Sequence, residues 1–202
     1  DDAIAGLPNV NSNNYSACKW AAKLLKARVL MVRGDDSDYT GVINLCKDII
    51  SNGPYTLEAN LKDLFLSKGL SSNEVILGVK PYPNDIYKYN EFIYYTSGVG
   101  SELASSIFSN DPRKDWMFQT VPGYYGDMNI FTKYYPGNAG DPSPVPVTSV
   151  CYALRLTEAY LLQAEAIVAS GGNHEDAKVL LKTVLQRAGV TDFTEVDGAA
   201  TS

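Results

Sequence analysis

Histidine is almost missing from this 202-residue chain, where His174 stands alone. A single imidazole with no cysteine near it in sequence cannot supply the ligand set of a zinc site. Cysteine is sparse as well. Cys18, Cys46 and Cys151 have no C-x-x-C spacing, and three thiols cannot pair completely within one chain. All three fall in apolar patterns that read as helical, so buried free thiols are expected. Positive charge is in deficit: 17 Lys and Arg against 23 Asp and Glu leave a formal net charge of −6, which argues against a nucleic-acid partner. No apolar run reaches the ~18–20 residues of a membrane-spanning helix. Sixteen Gly and 10 Pro are too few for a collagen-like repeat, and 45% hydrophobic residues are too many for a disordered chain. The G-x-S-x-G elbow, the P-loop, H-E-x-x-H and a Cys/His pair are all lacking, so no cofactor and no catalytic activity are expected. Glu91, Glu102, Asp111, Asp115 and Asp127 include enough carboxylates for a glycosidase, but no spacing among them selects a pair. The opening Asp1-Asp2-Ala3 has no basic stretch followed by an apolar one, and the chain reads as a mature or trimmed segment.

What is present is a core-sized apolar content and an excess of tyrosine, 14 Tyr against 6 Phe and 2 Trp. The length suits one domain or two small ones. Three- and four-residue apolar steps predict a helix over 15–33, through Trp20, Ala21, Leu24 and Ala27. Lys19, Lys23, Lys26 and Arg33 form a basic stripe beside that face and are expected to be a solvated flank. Gly34 to Asp38 is a stop followed by N-cap candidates, and a second helix runs to about Ser51 before Gly53-Pro54. A second pair closes the chain. A helix is expected over 151–169, Gly171-Gly172 breaks it, and another follows from Asn173 and His174 to Gly189. Asn173 with Asp176 resembles a capping box. The two helical hairpins, 15–53 and 151–189, have the shape of tetratricopeptide-like repeats. The fold class expected is mainly all-α, a tetratricopeptide-like α–α superhelix with minor β, with residues 190–202 as a tail.

Residues 54–150 interrupt the hairpins as a loop-rich insert. Val75 to Val79 reads as a short buried strand. Ser101 to Asn110 is a candidate short helix, and Asp111-Pro112 is a helix start with Asp as cap. Residues 136–146 hold four Pro and two Gly and read as an irregular loop. Between Tyr82 and Tyr135 stand 14 of the chain's 22 aromatic residues, many in polar, Gly- and Pro-rich context. A tyrosine offers a flat apolar face and a hydroxyl at low rotamer entropy. That chemistry suits a pyranose, whose C–H face stacks on a ring while its hydroxyl rim needs amide or carboxylate partners. Tyr94, Tyr95, Trp116, Tyr124, Tyr125, Asp127 and Asn129 are the candidate ligand-binding residues. The bland alternative is that these rings pin long loops to the body.

Residues 15–57, from Tyr15-Ser16-Ala17 to Tyr55-Thr56-Leu57, resemble the second-repeat region of the RagB/SusD family of Bacteroidetes outer-membrane lipoproteins. Asn73 to Leu77 is similar to that family's short strand, and Asp111-Pro112-Arg113 to its Asp-Pro-Arg step. The most specific stretch is LRLTEAYLLQAEAIVASGGNHEDAKVLLKTVLQRAG, residues 154–189, which follows the family pattern through Glu158, Ala164-Glu165-Ala166 and Arg187-Ala188-Gly189. The resemblance implies a cell-surface glycan-binding protein without catalysis, which hands oligosaccharide to a SusC-type TonB-dependent transporter. It implies lipid anchoring at the outer membrane in a longer protein, of which this chain would be a fragment. Family members vary too much in the insert for a binding residue to be carried over, so the candidates above rest on chemistry alone. The rival expectation is a helical scaffold that binds only protein.

Overall fold

The computed structural model describes residues 1–80, 106, 109–123, 126–131, 133 and 150–199. The fold is mainly α with minor β. After the short α1 (Asp2–Gly6), α2 (Lys19–Arg33) and α3 (Asp36–Asn52) form a tight hairpin. Alanine, leucine and lysine give α2 high helix propensity. Gly34 ends it in the left-handed conformation, φ 71°, with its N–H bonded to the Leu30 carbonyl at 3.0 Å. Asp35 then caps α3, and the Asp38 carboxylate reaches back to the Asp35 N–H at 3.3 Å. The expected helix over 15–33 begins only at Lys19, because the Lys19 N–H is drawn to the Pro8 carbonyl, 2.9 Å, and the preceding residues run in extended and turn conformations.

Beyond α3 the chain makes one turn of helix, α4 (Leu61–Asp63), a π-helical turn Leu64–Lys68 and a 3₁₀ turn Gly69–Ser71. The strand expected at Val75 is present as β1 (Val75–Val79). Further on, α5 (Lys114–Met117) leads into an antiparallel hairpin of β2 (Phe118–Gly123) and β3 (Gly126–Phe131). The last part holds β4 (Cys151–Arg155), α6 (Leu156–Ala169), α7 (His174–Arg187) and the short α8 (Thr194–Gly198).

Residues 151–155 correct the expectation of a helix from 151. They form a strand because β1 offers an antiparallel partner: Gly78 pairs with Tyr152 and Val79 with Cys151. Tertiary pairing overrides a weak local preference here. Gly78 is needed for that fit, since a Cβ at this position would meet the Leu70 side chain at 2.5 Å. Cys151 is a second correction. On the edge of this two-stranded sheet it is exposed, whereas Cys18 and Cys46 are buried as expected. Asn173 caps α7 by accepting the Glu175 N–H at 3.1 Å. The candidate helix over Ser101 to Asn110 falls mostly outside the described residues; Ser106 and Ser109 form a turn.

The helices α2, α3, α6 and α7 pack in that order, so the second hairpin lies alongside the first. The core shared by α2, α3 and α6 includes Leu24, Val42, Ile49, Leu156 and Ala159, none more than 2% exposed, with Trp20 and Ile76 beside them. Arg28 on α2 donates from Nε and Nη2 to the two carboxylate oxygens of Glu158 on α6, and Nη2 also reaches the Ala153 carbonyl, 2.7 Å, which ties α2 to α6. The basic stripe of α2 is not wholly a solvated flank. Lys23 is 9% exposed, lies 4.3 Å from the Trp20 ring centroid and pairs with Asp48, because burial of its stem demands a counter-charge.

One buried polar network joins the two halves. Glu74, just before β1, is fully buried. Its carboxylate accepts the Glu58 N–H at 3.0 Å, the Thr157 hydroxyl at 2.5 Å, Arg155 at 3.3 Å and Arg187 at 2.7 Å. Arg187 donates its other terminal nitrogen to Thr157 Oγ1 at 2.7 Å. The Glu74 carbonyl accepts the Leu156 N–H at 3.0 Å. Beside this network Glu58 is bound by Ser72, 2.7 Å, and Lys68, 2.5 Å.

Two predictions follow from burial. Native protein titrated with a thiol reagent exposes one fast thiol, Cys151, and three after denaturation, since Cys46 is fully buried and burial pushes its thiol up to about 12; two fast native thiols would contradict the packing of α2 or α3. Glu74→Ala, which leaves Arg187 buried without its counter-charge, loses about 3–5 kcal/mol of unfolding free energy in urea melts, and the double variant Glu74→Leu/Arg187→Leu loses less than that single variant.

Candidate functional site

The described part of the insert stands on an aromatic base. The π-helical turn drives Leu64 and Phe65 into a second, smaller core with Val75. Trp116 of α5 stacks on Phe65, ring centroids 6.1 Å apart and planes 24° apart. Tyr152 of β4 meets Phe65 edge-on at 5.5 Å and donates its hydroxyl to the Leu64 carbonyl at 2.6 Å. Two cations approach the same ring: Lys133 at 4.3 Å and Arg155 at 5.4 Å from its centroid. Aromatic pairs of this kind add ~0.5–1.5 kcal/mol beyond their burial. Trp116 is therefore half-buried and gives one face to the protein itself.

The turn before α5 carries the hairpin. Asp111 Oδ1 accepts the Arg113 backbone N–H at 2.8 Å, and the Arg113 guanidinium folds back on the same carboxylate at 2.5–3.1 Å. Hydrogen bonds from that guanidinium hold the Asp111 carboxyl below the usual carboxylate range, against an opposing effect of burial. Asp111 caps the turn as the sequence suggests, though α5 itself begins at Lys114. Pro112 sits against Gly189, where a Cβ would meet its ring at 3.3 Å. The Asp-Pro-Arg turn thus rests on the end of the second helical hairpin and launches α5, β2 and β3 from it. Near Arg187, burial lowers the guanidinium pKa, Glu74 opposes this, and Arg155 and Arg113 reinforce it.

The sequence candidates divide into three groups. Trp116 belongs to the aromatic base. Asp127 and Asn129 lie on β3, Asp127 opposite Pro122 and Asn129 opposite Thr120, and Asp127 is exposed. Tyr124 and Tyr125 lie outside the described residues, between Gly123 and Gly126, which pair with each other. Tyr94 and Tyr95 also lie outside them, as does the loop over 136–146. Among the described residues no group of three or more His, Cys, Asp or Glu could hold a metal ion, and no helix is long and apolar enough to cross a membrane. Phe65, Tyr152 and Arg155, which frame the base, were not among the sequence candidates. Phe65 stands about ninety positions before Tyr152 and Arg155, and the β1–β4 pairing brings them together.

Residues 148–201 match the family model described as the SusD family. The matched segment contains the stretch over 154–189 that carries the sequence resemblance most specifically. No curated protein matches the chain significantly. Among solved structures, a SusD superfamily protein from Parabacteroides distasonis is 20% identical with a TM-score of 0.73, covering 93% of this chain and 48% of that one. A structure solved with xylogluco-oligosaccharide is 22% identical with a TM-score of 0.67, covering 94% of this chain and 47% of that one. A laminarin-binding SusD-like protein is 18% identical with a TM-score of 0.67, covering 94% and 52%. The chain spans about half the length of these structures.

The depressed Asp111 carboxyl gives a signed pH prediction. A group whose folded pKa lies below its unfolded value, about 3.9 for Asp, stabilises the fold above that pH and loses the contribution as pH falls through the folded value. Urea melts at a series of pH values from neutral to below the ordinary Asp pKa should show Asp111→Asn less stable than wild type at neutral pH, with the gap closing in acid. A gap that stays constant across the series would mean that Asp111 acts through packing alone.

Proposed function

We propose that this chain, SusD-like in its fold and in the family sequence at 148–201, is part of a glycan-capture protein. The observation that carries the reading is the arrangement of the insert. An aromatic base of Phe65, Trp116 and Tyr152 lies at the root of a β-hairpin that presents exposed Asp127, and Tyr124 and Tyr125 fall in sequence between its two strands. Tyrosine faces with nearby carboxylate and amide groups suit the C–H face and hydroxyl rim of a sugar. Two similar structures support this reading, one solved with a xylogluco-oligosaccharide and one of a protein named for laminarin binding.

In this reading Tyr94, Tyr95, Tyr124 and Tyr125 stack on the ligand and Asp127 and Asn129 bind its hydroxyls. Trp116 contributes chiefly by bracing the hairpin. The protein binds and does not cleave its glycan. The whole protein sits at the outer cell surface on a lipid anchor, and passes oligosaccharide to a SusC-type TonB-dependent transporter, with the helical hairpins as the transporter-facing scaffold. Residues 54–150 form the ligand region and 15–53 and 151–189 the scaffold of one domain. A protein-only scaffold is the rival, and it draws on one observation: Leu25, Val29 and Val32 lie on one face of α2 and are 54%, 59% and 88% exposed.

Calorimetry against xyloglucan oligosaccharide, laminarin and a set of host glycans separates the two. Binding to at least one glycan is expected, with Tyr124→Ala and Tyr94→Ala each weakening it about tenfold, ~1.4 kcal/mol. Flat titrations with every glycan, from protein that melts cooperatively and binds the transporter, would sink the reading.

A further inference from the structure

The segment before α2 folds back as an asparagine-rich strap. The Gly78 N–H donates to the Asn14 carbonyl at 2.7 Å, so the strap meets β1 there. Between the strap, Pro54-Tyr55 and Asn73 is a cavity of about 180 Å³. It contains none of the residues of the aromatic base or of β2 and β3.

Four asparagines, Asn11, Asn13, Asn14 and Asn73, are among the residues that line this cavity. Two of them are fixed through their nitrogens. Asn11 Nδ2 donates to the carbonyls of Ser16 and Ala17, both at 2.9 Å. Asn14 Nδ2 donates to those of Leu70 and Ser72, at 2.9 and 3.2 Å. Each amide plane is thereby set, and its Oδ1 receives no donor among the described residues. Asn13 uses its Oδ1 to accept the Tyr15 N–H at 3.0 Å and keeps its Nδ2 available. Asn73, which is exposed, makes no side-chain hydrogen bond among the described residues. The residues around the cavity therefore bring amide acceptors and amide donors without protein partners among the described residues, beside Pro54 and Tyr55.

That combination selects a ligand class. No charged side chain lines the cavity, so an anion or a cation would be bound without a counter-charge. A purely apolar ligand would cover the amides and leave them unpaired, which costs more than it gains. Hydroxyl groups donate and accept at once and match both kinds of amide group. The volume lies below the 300–1,000 Å³ of drug-sized pockets and admits one ring, not a chain of them. We propose that this cavity binds a single neutral sugar or polyol unit, as a second carbohydrate site separate from the insert. The proposal does not rest on the reading of the insert.

The test is an NMR titration of the ¹⁵N-labelled chain with three probes: methyl α-D-glucopyranoside, methyl α-D-mannopyranoside and methyl β-D-galactopyranoside. At least one should shift the side-chain amides of Asn11, Asn13, Asn14 and Asn73 in a saturable way. Asn73→Ala, which breaks no bond that holds the fold, should weaken that probe about tenfold, and Asn13→Ala should do the same. Absence of saturable shifts with all three probes, shifts unaltered in Asn73→Ala, or shifts confined to β2 and β3 would each overturn the proposal. Tyr124→Ala should leave these shifts unchanged. Flat calorimetry with polysaccharides alongside intact asparagine shifts would therefore remove the insert reading alone.

Discussion

The fold depends on one buried carboxylate. Glu74 sits at the point where the insert's first strand begins, and it is bound by groups from three other places in the chain: the turn at Glu58, the start of α6 at Thr157 and Arg155, and the end of α7 at Arg187. A charge at full burial is tolerable only when its hydrogen-bonding capacity is filled and a counter-ion is present. Both conditions are met only when the first strand, the loop after the first hairpin and both helices of the second hairpin are in place together. The network thus couples elements that are far apart in sequence and makes their positions mutually dependent. Apolar burial supplies the bulk of the stabilisation in the α2–α3–α6 core; Glu74 sets how the insert's root is registered against it.

The helical scaffold was largely legible in the sequence. Three- and four-residue apolar steps, the Gly34 stop and the Asp35 and Asn173 caps are local signals, and the structure follows them to within a few residues. The failures have a common cause. Cys151 to Arg155 follow on into a helix without a break in apolar character, and only the partner strand at Val75 to Val79 makes them a strand. Lys23 reads as a surface lysine until Trp20 and Asp48 are seen to enclose it. In each case a deciding partner, the strand at Val75–Val79 or the carboxylate of Asp48, lies tens of residues away, where no periodicity can register it.

The candidate site was legible as composition and less so as geometry. The aromatic crowding between Tyr82 and Tyr135 is visible by counting. That Trp116 would spend one face on Phe65 is not, because Phe65 lies outside that stretch and turns inward only through the π-helical turn. The asparagines of the strap escaped notice for a similar reason. Asn11, Asn13 and Asn14 precede the first periodic segment, and Asn73 joins them only in the folded chain, where the strap meets β1.

The pairing of β1 with β4 has a wider consequence. Val79 faces Cys151, so the chain leaves the scaffold and re-enters it at adjacent positions. Whatever lies between them is closed at its neck by a pair of hydrogen-bonded strands and by Glu74 beneath. The entropic cost of such a closed loop grows slowly, about 0.6 kcal/mol for each doubling of its length. A longer loop therefore costs the helices below little, whereas the turn at Asp111–Arg113 and Trp116, which pack on Gly189 and Phe65, are tied to the body. Loop length can thus vary between the neck and these two anchor points without refolding the body.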